Sequence, residues 1–328
     1  MNDLMNNNKI LYHLQSIDHN EIVSFEIHPT NICNYLCDFC SYSYRKSNGK
    51  QIELDILLET INEISKRGCK SITLAGGGDP TMYKNLPLIV EYIKSKNMEV
   101  AVLSNGSNKK MIEKISSDCT YILLNIVSTN KETYKKMMGR DMKEILNFPK
   151  TISDKTTLGV RVVVTNENVE NLVETTKELL NKGFSYVQIT PAVDYEKSRI
   201  YVDNKKLNNV LSDKIFDSPN VFMNIKRDNR YTSVNCYNVK HSSHGILSAD
   251  GNIYICPPLT SIHKKYSIGN INYEKFEDIW EGEKHLNLKE VMEKRYIKNE
   301  CKNCRFIGYN EILDSYKSIL NNEHKNLI

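Results

Sequence analysis

Cys33, Cys37 and Cys40 fall within one eight-residue stretch, Cys-Asn-Tyr-Leu-Cys-Asp-Phe-Cys, just after a short apolar run from Ile22 to Ile27. Thiols at this density in a polar loop with Asn34 and Asp38 suit a metal better than they suit a core. A closed zinc or four-iron site takes four protein ligands. Three leave one metal corner open for chemistry, so the stretch reads as an iron–sulfur site. Zinc is the alternative, with His28 as a fourth ligand from the strand side of the loop.

A second group of thiols comes late in the chain: Cys236, Cys256 and the pair Cys301-x2-Cys304. The run Ile246 to Cys256 reads as a β-hairpin through its Asp250-Gly251 turn and its alternation. Four thiols fit zinc or a fully ligated iron–sulfur cluster, and their spacing does not choose between the two. Cys69 and Cys119 each precede a strand and read as buried structural thiols at the end of the fold away from the chemistry.

The elements that must position these groups alternate. Strands are expected at Phe25–Pro29, Ser71–Ala75, Glu99–Leu103, Tyr121–Val127, Val160–Val164 and Tyr186–Thr190. Helical spacing covers Leu54–Ser65, Leu86–Ser95, Lys110–Ser116, Lys131–Met138, Lys143–Leu146 and Val169–Lys182. Strands alternating with helices imply an α/β fold, a parallel sheet with right-handed crossovers, curved into a partial (β/α)6 TIM-like barrel. Such a barrel works at the C-terminal ends of its strands, and the cysteine loop lies just past one of them. The expected organisation is a polar extension over 1–20, a barrel over 21–200, a connecting segment over 201–232 and a small C-terminal α+β cluster-binding domain over 233–328.

Composition narrows the function. A net charge of +4 from 44 basic and 40 acidic residues, scattered through 328 positions, is no nucleic-acid footprint. No apolar run reaches the roughly 20 residues of a membrane span. The start of the chain lacks a signal-peptide pattern, and nine cysteines then suit a reducing cytoplasm.

Other strand ends carry polar groups. Gly76-Gly77-Gly78-Asp79-Pro80 closes the second strand, where glycines let backbone approach a ligand, though a tight strand-to-helix turn is the ordinary meaning of such a triplet. Ser104, Asn105 and Asn125 follow at later strand ends. Arg161 interrupts Val160, Val162, Val163 and Val164, and a charge there either meets a partner or ligand or faces outward. Glu26 and His28 share one face of the first strand.

Cys33-x3-Cys37-x2-Cys40 with Phe39 before the last cysteine resembles the defining motif of the radical S-adenosylmethionine (radical SAM) enzymes. The resemblance implies a 4Fe-4S cluster on these three cysteines whose open iron chelates SAM. It implies SAM contacts from Phe39, from Gly76, Gly77, Gly78, Asp79 and Pro80, and from Ser104, Asn105 and Asn125. The family often has Glu where this chain has Asp79. It often has a Ser-x-Asp pair at the fourth strand end, where this chain has Asn125 and Val127. Cys236, Gly251, Cys256, Ile268-Gly269-Asn270-Ile271 and Glu277-Asp278-Ile279-Trp280 resemble the auxiliary-cluster extension called SPASM, or its shortened form Twitch. That implies a second 4Fe-4S cluster held by Cys236, Cys256, Cys301 and Cys304.

A fully ligated auxiliary cluster suits electron acceptance, an arrangement similar to the aminocyclitol dehydrogenase type of butirosin biosynthesis. The expected activity is a two-electron oxidation of an alcohol on a small polar substrate (sugar, aminocyclitol or nucleotide-linked), with Arg161, His28 and Glu26 as catalytic candidates. A flavodoxin or ferredoxin type electron donor is expected, and no nucleic acid or membrane partner. Radical modification of a ribosomal peptide and redox-neutral sugar or nucleoside chemistry are the alternatives. Peptide-modifying relatives usually carry a recognition domain of several dozen residues before the first cysteine, longer than the stretch before Cys33.

Overall fold

The computed structural model describes residues 21–43, 48–142, 144–194, 199–223, 236–262, 266–295 and 310–313. The barrel strands are β1 (Ser24–Ile27), β2 (Ser71–Leu74), β3 (Glu99–Ser104), β4 (Tyr121–Ile126), β5 (Thr157–Val164) and β6 (Tyr186–Pro191), all parallel to their neighbours. Between them run α1 (Leu54–Lys66), α2 (Leu86–Ser95), α3 (Lys109–Ile115), α4 (Lys131–Met138) and α5 (Leu172–Asn181). Of Lys143–Leu146, expected as α-helix, Lys143 lies outside the described residues and the rest enters a 3-10 run over Glu144–Lys150, where Pro149 cannot donate an α-helical bond.

The sheet is wider than the six strands read from periodicity. The connecting segment folds into α6 (Asn204–Val210) and β7 (Val221–Met223), and β7 pairs in parallel with β6. At the other edge, after α7 (Tyr237–His241), the hairpin strands β8 (His244–Leu247) and β9 (Asn252–Tyr254) enter the same sheet, β8 running parallel to β1. The short helix α8 (Pro257–Ile262) precedes β10 (Gly269–Asn270), and the order becomes β10-β9-β8-β1-β2-β3-β4-β5-β6-β7 without closing.

Side-chain period decides what each face does. Ile72, Val102, Leu124, Val162 and Ile189 are fully buried on the helix-covered side. They meet apolar stripes such as Leu57, Ile61 and Ile64 of α1 and Ile89, Val90 and Ile93 of α2. The alternate residues Thr73, Leu103, Asn125, Arg161 and Gln188 are half-buried on the inner face. The outward alternative for Arg161 is thereby removed.

The C-terminal helices α9 (Phe276–Glu281) and α10 (Glu283–Arg295) are anchored to β1 through aromatics. Phe25 meets Phe276 at 5.8 Å and Trp280 at 5.9 Å, and Phe276 stacks on Trp280 at 5.4 Å. Each such pair contributes about 0.5–1.5 kcal/mol beyond the area it buries. No helix among the described residues is long and apolar enough to cross a membrane.

Candidate active site

The cysteine loop is pinned by three neighbours. Under it, Gly78 donates to Thr30 O at 3.0 Å and Asp79 N–H to Ile32 O at 2.9 Å. A Cβ on Gly78 would sit 2.1 Å from Ile32 O and 2.5 Å from Asn31 C, so glycine is required here by contact with the loop itself. To one side, α4 ends in a left-handed Gly139 (φ +69°), and its last turn offers Met138 O to Leu36 N–H and Met137 O to Asp38 N–H. Asn130 caps the start of α4 by accepting from Glu132 and Thr133 N–H groups, which holds the helix in register for that task. Buried Tyr35 meets Tyr134 of α4 edge-on.

On the third side, Asn105 follows β3. Its Nδ2 donates to Asn34 Oδ1 at 3.1 Å and to Cys33 Sγ at 3.8 Å, while Ser107 and Asn34 share hydrogen bonds at 2.8 and 3.1 Å. The fully buried Asp79 carboxylate accepts Asn105 N–H at 2.7 Å, Ser104 Oγ–H at 3.0 Å and Thr81 N–H at 3.0 Å. Burial pushes this carboxyl above its ordinary value of 3.8, against the pull of the donors around it. Pro80 begins the 3-10 turn that Asp79 caps.

These surroundings fit an iron–sulfur core. Cys33, Cys37 and Cys40 are half-buried thiols outside any disulfide, with a neutral N–H donor on one sulfur and the Met138 thioether 3.6 Å from another. His28, the fourth ligand of the zinc alternative, bonds Glu26 through Nε2 at 2.7 Å.

The inner face supplies the rest. Glu26 and His28 point the same way, as expected, and bond to each other. The His28 ring is fully buried, lies edge-on to Tyr42 at 5.3 Å and keeps Nδ1 without a partner among the described residues. Asn125, Arg161 and Gln188 are register neighbours across β4, β5 and β6, with Arg161 Nε donating to Gln188 Oε1 at 3.0 Å. Asn125 Oδ1 and Thr190 Oγ1 are buried and also lack a partner among the described residues. Gln188 and Thr190 were not singled out from sequence, although their even spacing from Tyr186 already put them on one face. Phe39 is half-buried and packs against the core.

Cys236 is half-buried at the head of α7 and Cys256 is buried after β9, whereas Cys301 and Cys304 lie outside the described residues. Cys69 and Cys119 are buried, and burial pushes the Cys119 thiol up to about 12.

Residues 27–179 match the model of the radical SAM superfamily. Residues 236–305 match the SPASM iron–sulfur cluster-binding domain, a span that contains all four late cysteines. The chain is a radical SAM enzyme. Its cofactors are SAM and two iron–sulfur clusters, one in each matched region. This radical SAM chain is 20% identical over 310 residues to the tungsten-containing aldehyde ferredoxin oxidoreductase cofactor-modifying protein of Pyrococcus furiosus, covering 84% of the chain and 85% of that protein. It is 24% identical over 291 residues to an S-adenosylmethionine-dependent nucleotide dehydratase of Flammeovirga pacifica, covering 79% and 94%. Streptococcus suis SuiB bound to its precursor peptide SuiA shares the fold, with a TM-score of 0.65 at 13% identity over 84% of this chain and 68% of that one.

Proposed function

We propose that this radical SAM enzyme oxidises an alcohol carbon of a small polar, anionic substrate, with Cys33, Cys37 and Cys40 holding the SAM-binding cluster and Cys236, Cys256, Cys301 and Cys304 the auxiliary one. The reading is carried by the inner face of the sheet. It offers a guanidinium at Arg161, bonded to Gln188, and a buried acceptor, His28 Nδ1, which has no protein partner among the described residues. Buried polar groups in a finished fold are otherwise paired, so these suit a ligand that brings hydroxyl or amino donors and a negative group. When bound, the cofactors supply an electron to SAM, the 5′-deoxyadenosyl radical that takes a hydrogen atom from carbon, and an acceptor for the second electron.

The chain's own residues do the remainder. Arg161, held in plane by Gln188, binds the anionic part of the substrate; a guanidinium stays protonated, so it is no proton acceptor. His28 takes the hydroxyl proton at Nδ1, because Nε2–H is fixed on Glu26, and Glu26 then faces the imidazolium that forms. The carbinol carbon thus loses a hydrogen atom, its oxygen a proton and the resulting radical one electron, which leaves a carbonyl. Asn125 and the backbone of Gly76 and Gly77 hold SAM, with Asp79, Pro80, Ser104 and Phe39 shaping that side. The nucleotide named for the Flammeovirga pacifica relative supports a nucleotide-linked substrate. A flavodoxin or ferredoxin type protein supplies electrons, and thiols held outside disulfides among the described residues suit the cytoplasm.

The test is anaerobically reconstituted full-length protein with SAM, dithionite and a panel of sugar, aminocyclitol and nucleotide-linked alcohols. The expected result is 5′-deoxyadenosine together with a substrate two hydrogens lighter. A redox-neutral product, or turnover confined to peptides, would reject the dehydrogenase reading.

A further inference from the structure

We infer that the Asn105 carboxamide sets the reduction potential of the N-terminal cluster through an N–H···S bond to Cys33, and that Asp79 locks it in the orientation that does so. The inference deepens the proposed function, resting on the reading that Cys33, Cys37 and Cys40 hold that cluster.

Both side-chain polar atoms and the main-chain N–H of Asn105 are committed. Oδ1 accepts the N–H of Ser107 at 2.9 Å, which decides which way the amide points: the reversed amide would set NH2 against N–H. Nδ2 therefore faces the cysteine loop, with one hydrogen on Asn34 Oδ1 at 3.1 Å and the other on Cys33 Sγ at 3.8 Å, an N···S separation suited to the larger radius of sulfur. The main-chain N–H is held by Asp79 Oδ2 at 2.7 Å, and that carboxylate is itself fixed by the Ser104 hydroxyl. Asn105 is only 7% exposed, so water does not compete for the amide. Its side chain is spent on the protein's own loop, not left free for SAM.

A neutral donor on a ligating sulfur draws electron density from the thiolate. The reduced cluster carries one more negative charge than the oxidised one, so the bond favours reduction and raises the potential. Asn105 is in this sense a positioning residue acting through Cys33.

Full-length, anaerobically reconstituted protein is titrated potentiometrically by EPR. The cluster is identified as the one whose signal changes on adding SAM, since only a cluster with an open iron responds. Asn105→Ala is expected to retain wild-type iron and sulfide content and to show a lower midpoint potential for that signal. Ser107→Ala, which removes a hydroxyl bonded to Asn34 and not to sulfur, is expected to leave the midpoint in place. An unchanged midpoint in Asn105→Ala, or an equal fall in Ser107→Ala, overturns the inference. Loss of the SAM-responsive cluster in both Asn105→Ala and Asn105→Gln also overturns it, because the residue would then be needed to build the loop. Failure of the underlying assignment looks different: the wild-type protein itself would give no SAM-responsive signal.

Discussion

Asp79 Oδ2 accepts the main-chain N–H of Asn105 at 2.7 Å, so the glycine-rich turn after β2 and the end of β3 move as one piece. Asp79→Asn replaces an acceptor with a group that is half donor and leaves a buried N–H facing it. An unsatisfied buried group costs about 1–3 kcal/mol. Chemical denaturation of the reconstituted protein should show a loss of that size. Asp79→Glu should lose a similar amount, since an extra methylene in a filled site costs about 1–3 kcal/mol.

Gly78 lies against the cysteine loop closely enough that any Cβ displaces it. In Gly78→Ala the methyl would stand 2.1 Å from Ile32 O, and backbone cannot yield as a flexible side chain would. Cluster loading at the loop should fail while the auxiliary site is unaffected. Iron analysis should then fall by half, from about eight to about four per chain.

Arg161 and Gln188 are paired on the inner face at 3.0 Å. Arg161→Met removes the guanidinium but leaves the cysteine loop untouched. We expect wild-type 5′-deoxyadenosine formation in the absence of substrate and loss of product by at least about a hundredfold, as when a charge-assisted contact of roughly 3 kcal/mol disappears. Arg161→Lys should recover little, because a point charge does not reproduce the planar fork held by Gln188. Product and 5′-deoxyadenosine quantified in the same reaction separate the two effects.

The late cysteines should behave oppositely to the early ones. Replacing Cys33, Cys37 and Cys40 with Ala should abolish SAM cleavage. Replacing Cys301 and Cys304 should spare cleavage yet stop turnover, and ordinary turnover in that variant would remove the electron-accepting role from the auxiliary site.

His285 gives a pH signature in the C-terminal helices. Burial holds its pKa below 6.5; Nδ1–H donates to Trp280 O at 2.6 Å and Nε2 accepts from Ser242 at 3.1 Å, so the folded ring is neutral. Below about 6.5 the unfolded chain takes up a proton that the folded chain resists, and stability falls with pH. Tm measured from pH 7.5 to 5.5 should therefore decline more steeply in the wild type than in His285→Gln. Parallel declines would contradict the buried neutral ring.

Much of the scaffold was legible locally. The helices Leu86–Ser95 and Lys131–Met138 occupy the residues their periodicity marked, because amphipathic spacing is a property of the segment itself. Val221–Met223 was not legible as a strand of the barrel sheet: three residues carry no period, and their pairing with β6 is a tertiary event. The same holds for β8, whose hairpin was evident from Asp250-Gly251 but whose parallel partner β1 lies more than two hundred residues earlier.

The site divides along the same line. Residue type and spacing alone limited the chemistry open to this protein, since three clustered thiols can leave a metal corner open and four more can close a site, for zinc or for iron and sulfur, wherever the chain goes. Only the tertiary structure decided how each polar group is used. It turned Arg161 inward beside Gln188, paired His28 with Glu26, buried Asp79 as a latch and aimed Asn105 at Cys33. The physical reason is that a hydrogen bond's partner is chosen by distance and direction, which exist only once strands far apart in the chain have paired.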